Sequence, residues 1–168
     1  YHIYAEHLDR LLKEGKAYPC YCSQETLSSQ REEARAGGHN YIYPGTCRNL
    51  SEDQRKEKDA AGLKPSFRLR AGDRHVEFKD LIRGDVSIHT SLFGDFIIVR
   101  PDLSPTYNFA VVIDDSLMEV SDVIRGEDHL PNTPKQILLY EAFGYSKPNF
   151  AHLSMILGTM DSGDGLEG

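Results

Sequence analysis

The sequence predicts an α/β fold, and the order of elements near its C-terminal end carries that prediction. Residues 122–124 form a short strand pattern, and residues 150–157 form a second, more apolar one. Between them, the Asn-Thr-Pro sequence at 132–134 predicts the start of a helix, because Asn favours the cap and Pro the first turn. Gly144 marks the end of that helix. Strand, helix and strand in this order are the unit of a doubly wound parallel sheet.

Three helices are predicted nearer the start of the chain. Residues 2–15 place their aliphatic side chains on one face, as an amphipathic helix does. Ser23 is an N-cap candidate for a polar helix over residues 24–36, which two consecutive glycines then close. The Ser-Glu-Asp-Gln sequence at 51–54 has the capping-box pattern and opens a charged helix that ends near Gly62.

Short strands are predicted after these helices. Residues 66–70, 76–78 and 86–88 alternate apolar and polar side chains, and residues 95–100 are more densely apolar. Gly and Asp residues separate the runs, so we expect a small mixed sheet. Residues 106–117 fit either a helix or a buried strand, because periodicity does not distinguish the two in this run.

The net charge of the chain limits the kinds of partner that it is expected to bind. Nineteen Lys and Arg against 26 Asp and Glu give a net charge of −7, whereas a nucleic-acid-binding domain is usually basic. A local group of Arg68, Arg70 and Arg74 leaves RNA contact open, but a solvated charged face is the commoner reason for such a pattern. The chain has no run of about 18 apolar residues, so we expect no membrane-spanning helix and no membrane partner.

Three cysteines lie within 28 residues, at Cys20, Cys22 and Cys47. An odd, small number without a secretion signal argues against a disulfide framework. The Cys-x-Cys pair can offer two thiolates to one metal, and the Pro-Gly turn before Cys47 can return the chain to that pair. Zinc takes four ligands, so Tyr43, His39 or a water molecule would complete the set. The alternative is three free, buried thiols.

A longer run identifies a family. Residues 106–158 read TYNFAVVIDDSLMEVSDVIRGEDHLPNTPKQILLYEAFGYSKPNFAHLSMILG, and this run resembles the second half of the catalytic domain of the class I glutamyl-tRNA synthetases. The resemblance extends over about residues 1–158. It implies part of a class I synthetase Rossmann-like catalytic domain, with a small α+β connective insertion and a zinc-binding knob. It also favours a helix at 106–117.

The resemblance implies a division of the chain into four parts. Residues 1–50 correspond to a helix and the zinc-binding knob. Residues 51–104 correspond to the connective insertion, which faces the tRNA acceptor stem in the family. Residues 105–158 correspond to the second half of the Rossmann-like catalytic domain. Residues 159–168 are acidic and rich in glycine, and they resemble a linker.

For the cysteines, the resemblance indicates a structural Zn²⁺ site. Family members carry a zinc knob with a C-x-C pair followed by Y-x-x-x-C, and Cys20, Cys22, Tyr43 and Cys47 occupy those positions. Other members end in a C-x-H pair, but Asn49 stands where that histidine would be. The resemblance therefore favours Tyr43 as the fourth ligand.

Arg125 is the main candidate for substrate binding. It comes just after the first of the two parallel strands, where open α/β sheets bind ligands, and its guanidinium can hold a carboxylate. The residues alone equally allow an ion pair with a neighbouring acid. The resemblance implies that Arg125 and Tyr107 bind the glutamate substrate and that the backbone at Met155 and Ile156 holds the adenine of ATP. We expect His152 to be structural rather than a ligand.

The resemblance implies an enzyme that ligates L-glutamate to tRNA through a glutamyl-adenylate, with ATP and Mg²⁺ as its other substrates. Neither the HIGH nor the KMSKS-type motif of the class occurs in these 168 residues. We therefore assign no catalytic residue and expect this fragment to be inactive alone. Alternatives are a fragment of a glutamyl-queuosine tRNA-Asp synthetase and a zinc-stabilised, non-catalytic binding module. The parent enzyme is expected to be a cytoplasmic monomer.

Overall fold

The structure is a computed structural model that describes residues 2–156 of the chain. The α-helices are α1 (His2–Lys13), α2 (Gln24–Ala36), α3 (Glu52–Ala60), α4 (Tyr107–Leu117) and α5 (Thr133–Phe143). The β-strands are β1 (Ala17–Cys20), β2 (Ser66–Leu69), β3 (His75–Asp80), β4 (Gly84–His89), β5 (Phe96–Val99), β6 (Asp122–Gly126) and β7 (Asn149–Leu153). Short 3₁₀ helices occupy Thr90–Leu92 and Glu127–Asn132.

The described strands form two sheets. An antiparallel sheet has the order β1-β2-β5, and a mixed sheet has the order β4-β3-β7-β6. In the mixed sheet β7 runs parallel to both β3 and β6, while β4 is antiparallel to β3. The passage from β6 through α5 to β7 is therefore the parallel strand–helix–strand unit that the sequence predicts, and the α/β class is confirmed.

The prediction of one small mixed sheet from the strands of residues 66–100 is wrong. β2 and β5 pair in the antiparallel sheet, whereas β3 and β4 extend the mixed sheet through the pairing of Asp80 with Phe150. The sequence patterns do not predict strand β1. All four of its residues are buried and Pro19 lies among them, so neither alternation nor strand propensity marks it.

The main hydrophobic core lies where α1, α4 and α5 pack against the sheets. Residues 136–140 of α5 are all buried, so protein surrounds the helix over this stretch. A second, smaller cluster surrounds the cysteines, and its buried members are Tyr18, Cys20, Leu27, Tyr43 and Cys47. The two clusters meet in β1, because Ala17 belongs to the first and Tyr18 to the second.

Most helix boundaries agree with the predictions. The Ser23 hydroxyl accepts the Thr26 backbone N–H, and Ser51 and Gln54 form a complete capping box at the start of α3. Gly144 ends α5 in the left-handed region, with φ of 69°. Helix α4 matches the helix that the family resemblance favoured.

Two boundaries differ from the predictions. The Asn132 side chain does not cap α5, because a 3₁₀ helix ends at this residue and already gives it a helical backbone. Strand β7 ends at Leu153, short of the predicted end at 157. The linker-like tail predicted at 159–168 lies outside the described residues. Within residues 2–156, every helix is too short or too polar to cross a bilayer.

Candidate functional site

Arg125 lies within β6 rather than just beyond it, which corrects its predicted position. The strand continues to Gly126 because it pairs in register with β7, with Arg125 opposite His152. The two strands are parallel, so their carboxyl ends lie at the same edge of the sheet. Arg125 is next to last in β6 and therefore reaches the edge where open α/β sheets bind ligands.

Two groups without formal negative charge hold the Arg125 side chain. Its Nε donates to His152 Nε2 at 3.1 Å, and its Nη2 donates to Thr133 Oγ1 at 2.6 Å. Its guanidinium carbon lies 5.5 Å from the centroid of the Phe150 ring. Arg125 does not form the ion pair that the sequence allowed, since no acid among residues 2–156 lies within ion-pairing distance of it. The guanidinium is half-buried and its charge is unpaired within that part of the chain.

Tyr107, the first residue of α4, lies close enough to Arg125 to affect its pKa. Burial lowers the pKa of Arg125, and the Tyr107 phenol opposes that shift. The Tyr107 side chain is exposed, and its ring centroid lies 6.1 Å from that of His129. The fold thus brings together the two residues that the resemblance assigned to glutamate binding, which belong to different elements, α4 and β6.

Tyr107 also lines a cleft of about 380 Å³ between the cysteine cluster and helices α4 and α5. Its cationic lining residues are Arg31, Arg68, Arg100 and Lys135. Lys135 lies over the rings of Phe93 and Phe96, and burial lowers its pKa. The acid in the lining, Asp95, already accepts three hydrogen bonds. The cleft therefore carries excess positive charge, which we call the cationic cleft.

Met155 and Ile156 follow β7 instead of lying within a strand, so the strand predicted for them is wrong. Their side chains are exposed, and that of Ile156 is 97% exposed. The Met155 backbone N–H donates to Glu127 Oε1 at 3.4 Å, and Glu127 in turn pairs with Arg83. These contacts hold the segment after β7 at the edge of the sheet that Arg125 also reaches.

The three cysteines converge as predicted. The sulfur atoms of Cys20, Cys22 and Cys47 all lie within 4.8 Å of one another, and none forms a disulfide. The Tyr43 hydroxyl lies 3.3 Å from Cys20 Sγ and 3.5 Å from Cys22 Sγ, and it accepts the Cys47 backbone N–H at 2.9 Å. His39, the other candidate side chain, is not part of this group in the described chain.

The separations of these atoms fit a zinc ion. A tetrahedral zinc with bonds of about 2.3 Å to sulfur keeps its ligand atoms roughly 3.5–3.8 Å apart. Cys22 Sγ and Cys47 Sγ lie 3.8 Å apart, and the Tyr43 oxygen is 3.3–3.5 Å from two of the sulfurs. Three of the six separations are thus close to those of a tetrahedral zinc site, and all three sulfurs lie within 4.8 Å of one another.

A buried cation adjoins the cysteine group. The Arg68 side chain is buried, and its Nη1 donates to the Asp95 carbonyl oxygen at 2.9 Å. Burial raises the pKa of the Cys20 thiol, but hydrogen bonds with Tyr43 and Arg68 outweigh burial and lower it overall. For Cys22, burial dominates and raises the pKa to about 11. Arg68 therefore favours the thiolate form at Cys20, whereas a bound metal ion would have to favour it at Cys22.

The arginines considered for RNA contact have partners within the protein. Arg68 is buried, so its interpretation as part of a solvated face is wrong. Arg70 donates to the carbonyl oxygens of Gly15 and Arg48, both at 3.0 Å. Arg74 pairs with Glu141. Of the three, Arg68 alone lines the cationic cleft.

Sequence reasoning missed the residues that support Arg125. His152 Nδ1 lies 2.5 Å from Asp80 Oδ2, and His152 Nε2 lies 3.0 Å from Thr133 Oγ1. His152 is fully buried, which agrees with the expected structural role, but it also contacts Arg125. In the sequence, His152 is a histidine inside an apolar strand pattern, and Asp80 stands two positions after the strand pattern at 76–78.

Comparisons with known proteins show the family of the chain. A family model described as tRNA synthetases class I (E and Q), catalytic domain, matches residues 1–162. The glutamate–tRNA ligase of a Sulfurihydrogenibium species is 54% identical over 156 residues, and that of Aquifex aeolicus is 53% identical over 157 residues. Each match covers 93% of this chain and 33% of the relative. The chain thus spans about a third of the length of these curated relatives.

Solved structures share the fold. A glutamate tRNA ligase from Elizabethkingia meningosepticum, crystallised in complex with its amino acid, gives a TM-score of 0.84 at 36% identity, over 93% of this chain and 33% of that one. Glutamate-tRNA synthetase from Elizabethkingia anophelis gives 0.85 at 35% identity, over 98% and 35%. The chain belongs to the class I tRNA synthetases for glutamate and glutamine, within their catalytic-domain family.

Proposed function

We propose that the protein carrying this chain is a glutamate–tRNA ligase. It would use ATP to convert L-glutamate to glutamyl-adenylate and would then transfer the glutamate to tRNA. Family membership and 54% identity to a glutamate–tRNA ligase support this. The observation that carries the proposal is Arg125, a half-buried guanidinium at the ligand-binding edge of the sheet, held by His152 and Thr133 and unpaired among the described residues.

Arg125 is suited to bind a carboxylate. His152 and Thr133 accept two of its five N–H groups, which fixes the plane of the guanidinium and leaves the other N–H groups for a ligand. Neither acceptor is an acid, so the positive charge is not neutralised. A glutamate carboxylate would form charge-assisted hydrogen bonds there, and partial burial strengthens such an interaction relative to water. We assign Tyr107 to orienting the same glutamate.

We place ATP beside this pocket. The backbone at Met155 and Ile156 would hold the adenine, and Mg²⁺ would enter with the triphosphate as part of the substrate. Both residues follow β7, at the edge of the sheet that Arg125 reaches. Adenylate formation depends on positioning and charge stabilisation more than on a protein base, so we assign no catalytic acid or base to the described residues.

We propose that Cys20, Cys22 and Cys47 hold a structural Zn²⁺ with Tyr43 as the fourth ligand. The atomic separations support this set. Bound there, the ion would supply the positive charge that stabilises three thiolates and would fasten the knob to β1. Four protein ligands leave no open coordination position, which is typical of structural rather than catalytic zinc.

We propose that the cationic cleft receives the acceptor end of tRNA. Residues 51–104, the insertion expected to face the acceptor stem, supply two of its four cations. Lys135 has no carboxylate partner in the described chain, so its charge is free for a phosphate. Tyr41 and Phe93 also line the cleft and offer rings on which bases can stack. Because Tyr107 lines it too, an RNA end bound there would lie next to the glutamate pocket.

Michaelis constants in the full-length protein test the glutamate site. Arg125→Ala should raise the KM for glutamate by about 10²-fold or more, because a carboxylate would lose its charged partner. The KM for ATP should change by less than about threefold. Arg125→Lys should give an intermediate effect, since it keeps the charge but not the two-pronged geometry. The control Arg74→Ala removes an arginine paired at the surface with Glu141 and should alter neither constant. Equal rises for both substrates would overturn the proposal.

The tRNA assignment is tested with a matched pair of lysines. Lys135→Ala should raise the KM for tRNA and reduce its dependence on salt by about one phosphate contact. Lys56→Ala removes an exposed lysine of α3, paired with Glu52, and should change neither quantity. Identical behaviour of the two variants would exclude the cleft as the path of the tRNA.

A further inference from the structure

A buried series of polar side chains crosses three neighbouring strands to reach Arg125. Asp80 ends β3, His152 lies in β7 and Arg125 lies in β6. The side chains of Asp80 and His152 are fully buried, with Oδ2 and Nδ1 2.5 Å apart. On its other side, His152 Nε2 lies 3.1 Å from Arg125 Nε and 3.0 Å from Thr133 Oγ1. Strand β3 is thereby connected to the candidate glutamate-binding arginine through one histidine.

Asp80 is held as a carboxylate. Its Oδ1 accepts the backbone N–H groups of Ile82 and Arg83, both at 2.9 Å, and that of His152 at 3.3 Å. Burial alone would raise the pKa of Asp80, but these hydrogen bonds and the His152 side chain outweigh it and lower the pKa to about 2. A carboxylate can only accept hydrogen bonds, so His152 Nδ1 carries a proton and its N–H donates a hydrogen bond to Asp80.

The tautomer of His152 determines how Arg125 is held. With the proton on Nδ1, Nε2 of the neutral ring is an acceptor. Arg125 Nε can only donate, so it requires that acceptor. The hydrogen bonds at Nε and Nη2 fix the guanidinium of a long, flexible side chain. The direction of its remaining N–H groups therefore depends on Asp80, acting through His152.

We propose that Asp80 and His152 are positioning residues for the glutamate substrate: Asp80 selects the His152 tautomer that orients Arg125. This inference rests on the proposed role of Arg125 in glutamate binding. Both residues are fully buried, so they act through Arg125 rather than on the substrate. Residues that orient a binding group typically contribute about 10- to 100-fold, and a misplacement of about 1 Å can cost about 10²-fold.

Asp80→Asn reverses the tautomer while keeping the shape of the side chain. The amide oxygen can retain the N–H groups of Ile82 and Arg83, which turns the amide nitrogen toward His152 Nδ1. Nδ1 must then accept, so the proton moves to Nε2 and faces the Nε–H of Arg125. In a serine-protease triad, replacing the aspartate that contacts the catalytic histidine by asparagine gives the wrong histidine tautomer without altering the geometry. We expect the KM for glutamate to rise about 10- to 100-fold and the KM for ATP to change less than about threefold.

Two replacements of His152 distinguish the roles of its two ring nitrogens. His152→Asn places an amide donor near the Nδ1 position and deletes the acceptor that faces Arg125. His152→Gln places an amide oxygen near the Nε2 position and so keeps that acceptor. We expect His152→Asn to raise the KM for glutamate at least about threefold more than His152→Gln does. A residue that only fills space would give equal effects, and that result would overturn the proposal.

The decisive experiment combines Asp80→Asn with Arg125→Ala in the full-length protein. In the Arg125→Ala background, Asp80→Asn should cause no further rise in the KM for glutamate, because the group that it positions is absent. Additive effects would assign Asp80 to general stability and overturn the inference. If Arg125→Ala alone shifts the KM for glutamate but Asp80→Asn does not, the inference fails while the glutamate site stands. If Arg125→Ala does not raise the KM for glutamate more than the KM for ATP, the proposed glutamate site is itself wrong.

Discussion

The guanidinium carbon of Arg68 lies 3.6 Å from the centroid of the Tyr43 ring, and this stack joins the cysteine group to the antiparallel sheet. Arg68 belongs to β2, and its Nη1 also donates to the Asp95 carbonyl oxygen just before β5. Asp95 in turn accepts hydrogen bonds from Tyr18 and Arg48. The buried Arg68 cation therefore contacts both Tyr43, the proposed metal ligand, and Asp95. It also lines the cationic cleft.

Arg68→Met should destabilise the protein by about 2–4 kcal/mol. Methionine fills similar space, but the change removes a buried charged hydrogen bond, worth about 1.5–3 kcal/mol, and a desolvated cation–π contact. Urea unfolding measures the loss. The matched control is Arg74→Ala, whose exposed pairing with Glu141 contributes at most about 1 kcal/mol. Losses of equal size would show that neither the buried hydrogen bond nor the Tyr43 stack stabilises the fold.

The purified protein should contain one zinc ion per chain. Cys20, Cys22 and Cys47 supply three sulfurs within 4.8 Å of one another. At a structural site of this kind, the free energy of zinc binding contributes a large part of the free energy of folding. Elemental analysis gives the stoichiometry, and removal by a chelator should lower the Tm by roughly 10 °C. A metal-free protein with three freely titrating thiols and an unchanged Tm would refute the site.

Tyr43→Phe should weaken zinc retention without unfolding the knob. The change removes only the hydroxyl, which lies 3.3 Å from Cys20 Sγ and 3.5 Å from Cys22 Sγ. Zinc transfer to a chromogenic chelator should be faster by about tenfold or more. Tyr41→Phe is the matched control, because that hydroxyl donates to Gln30 instead. If the two variants release zinc equally fast, Tyr43 is not a ligand and a solvent molecule completes the set.

The local elements of the fold were predictable because short-range chemistry determines them. The capping box at Ser51 and the left-handed Gly144 depend on residues within one turn of the chain. Strand β1 was not predictable, because its burial depends on pairing of Cys20 with Ser66, far along the sequence. The same limit explains the division of the strands between two sheets: pairing partners are chosen by long-range packing, not by the pattern within a strand.

The candidate site shows the same division. The grouping of Cys20, Cys22 and Cys47 was predictable from spacing, because a turn returns a nearby segment to the first pair. The network around Arg125 was not, since Asp80 and His152 are 72 positions apart. Buried ionisable residues of this kind become recognisable only when the fold shows which strands are neighbours.

Stability should fall at acid pH through Asp80. Its folded-state pKa is lowered from 3.8 to about 2, chiefly because hydrogen bonds to the carboxylate outweigh burial. The resulting stabilisation is fully present above the unfolded pKa, near 4, and is lost as pH falls toward 2. The groups facing it are the His152 ring and the turn after β3. The expected loss is on the order of 2 kcal/mol, measured as the free energy of urea unfolding at pH 5 and pH 2.5.

Variants isolate this contribution from that of other acids. Asp80→Asn should be less stable than the unmodified protein at pH 5 and should lose less stability between pH 5 and pH 2.5. Asp73→Asn, at a side chain 93% exposed, should follow the unmodified protein over the whole range. A pH dependence that Asp80→Asn leaves unchanged would mean that Asp80 does not stabilise the fold as a carboxylate.

The proposed glutamate–tRNA ligase activity is tested by identifying which amino acid becomes attached to tRNA in the presence of the full-length protein. The measurement compares kcat/KM for glutamate, glutamine and aspartate in the presence of ATP. Arg125 should favour glutamate over glutamine by about 10²-fold or more, because an uncharged amide leaves the half-buried guanidinium unpaired. Aspartate, one methylene shorter, should be poorer by about 10- to 200-fold. Glutamine or aspartate used as efficiently as glutamate, or no attachment of glutamate by the folded protein, would overturn the proposed function.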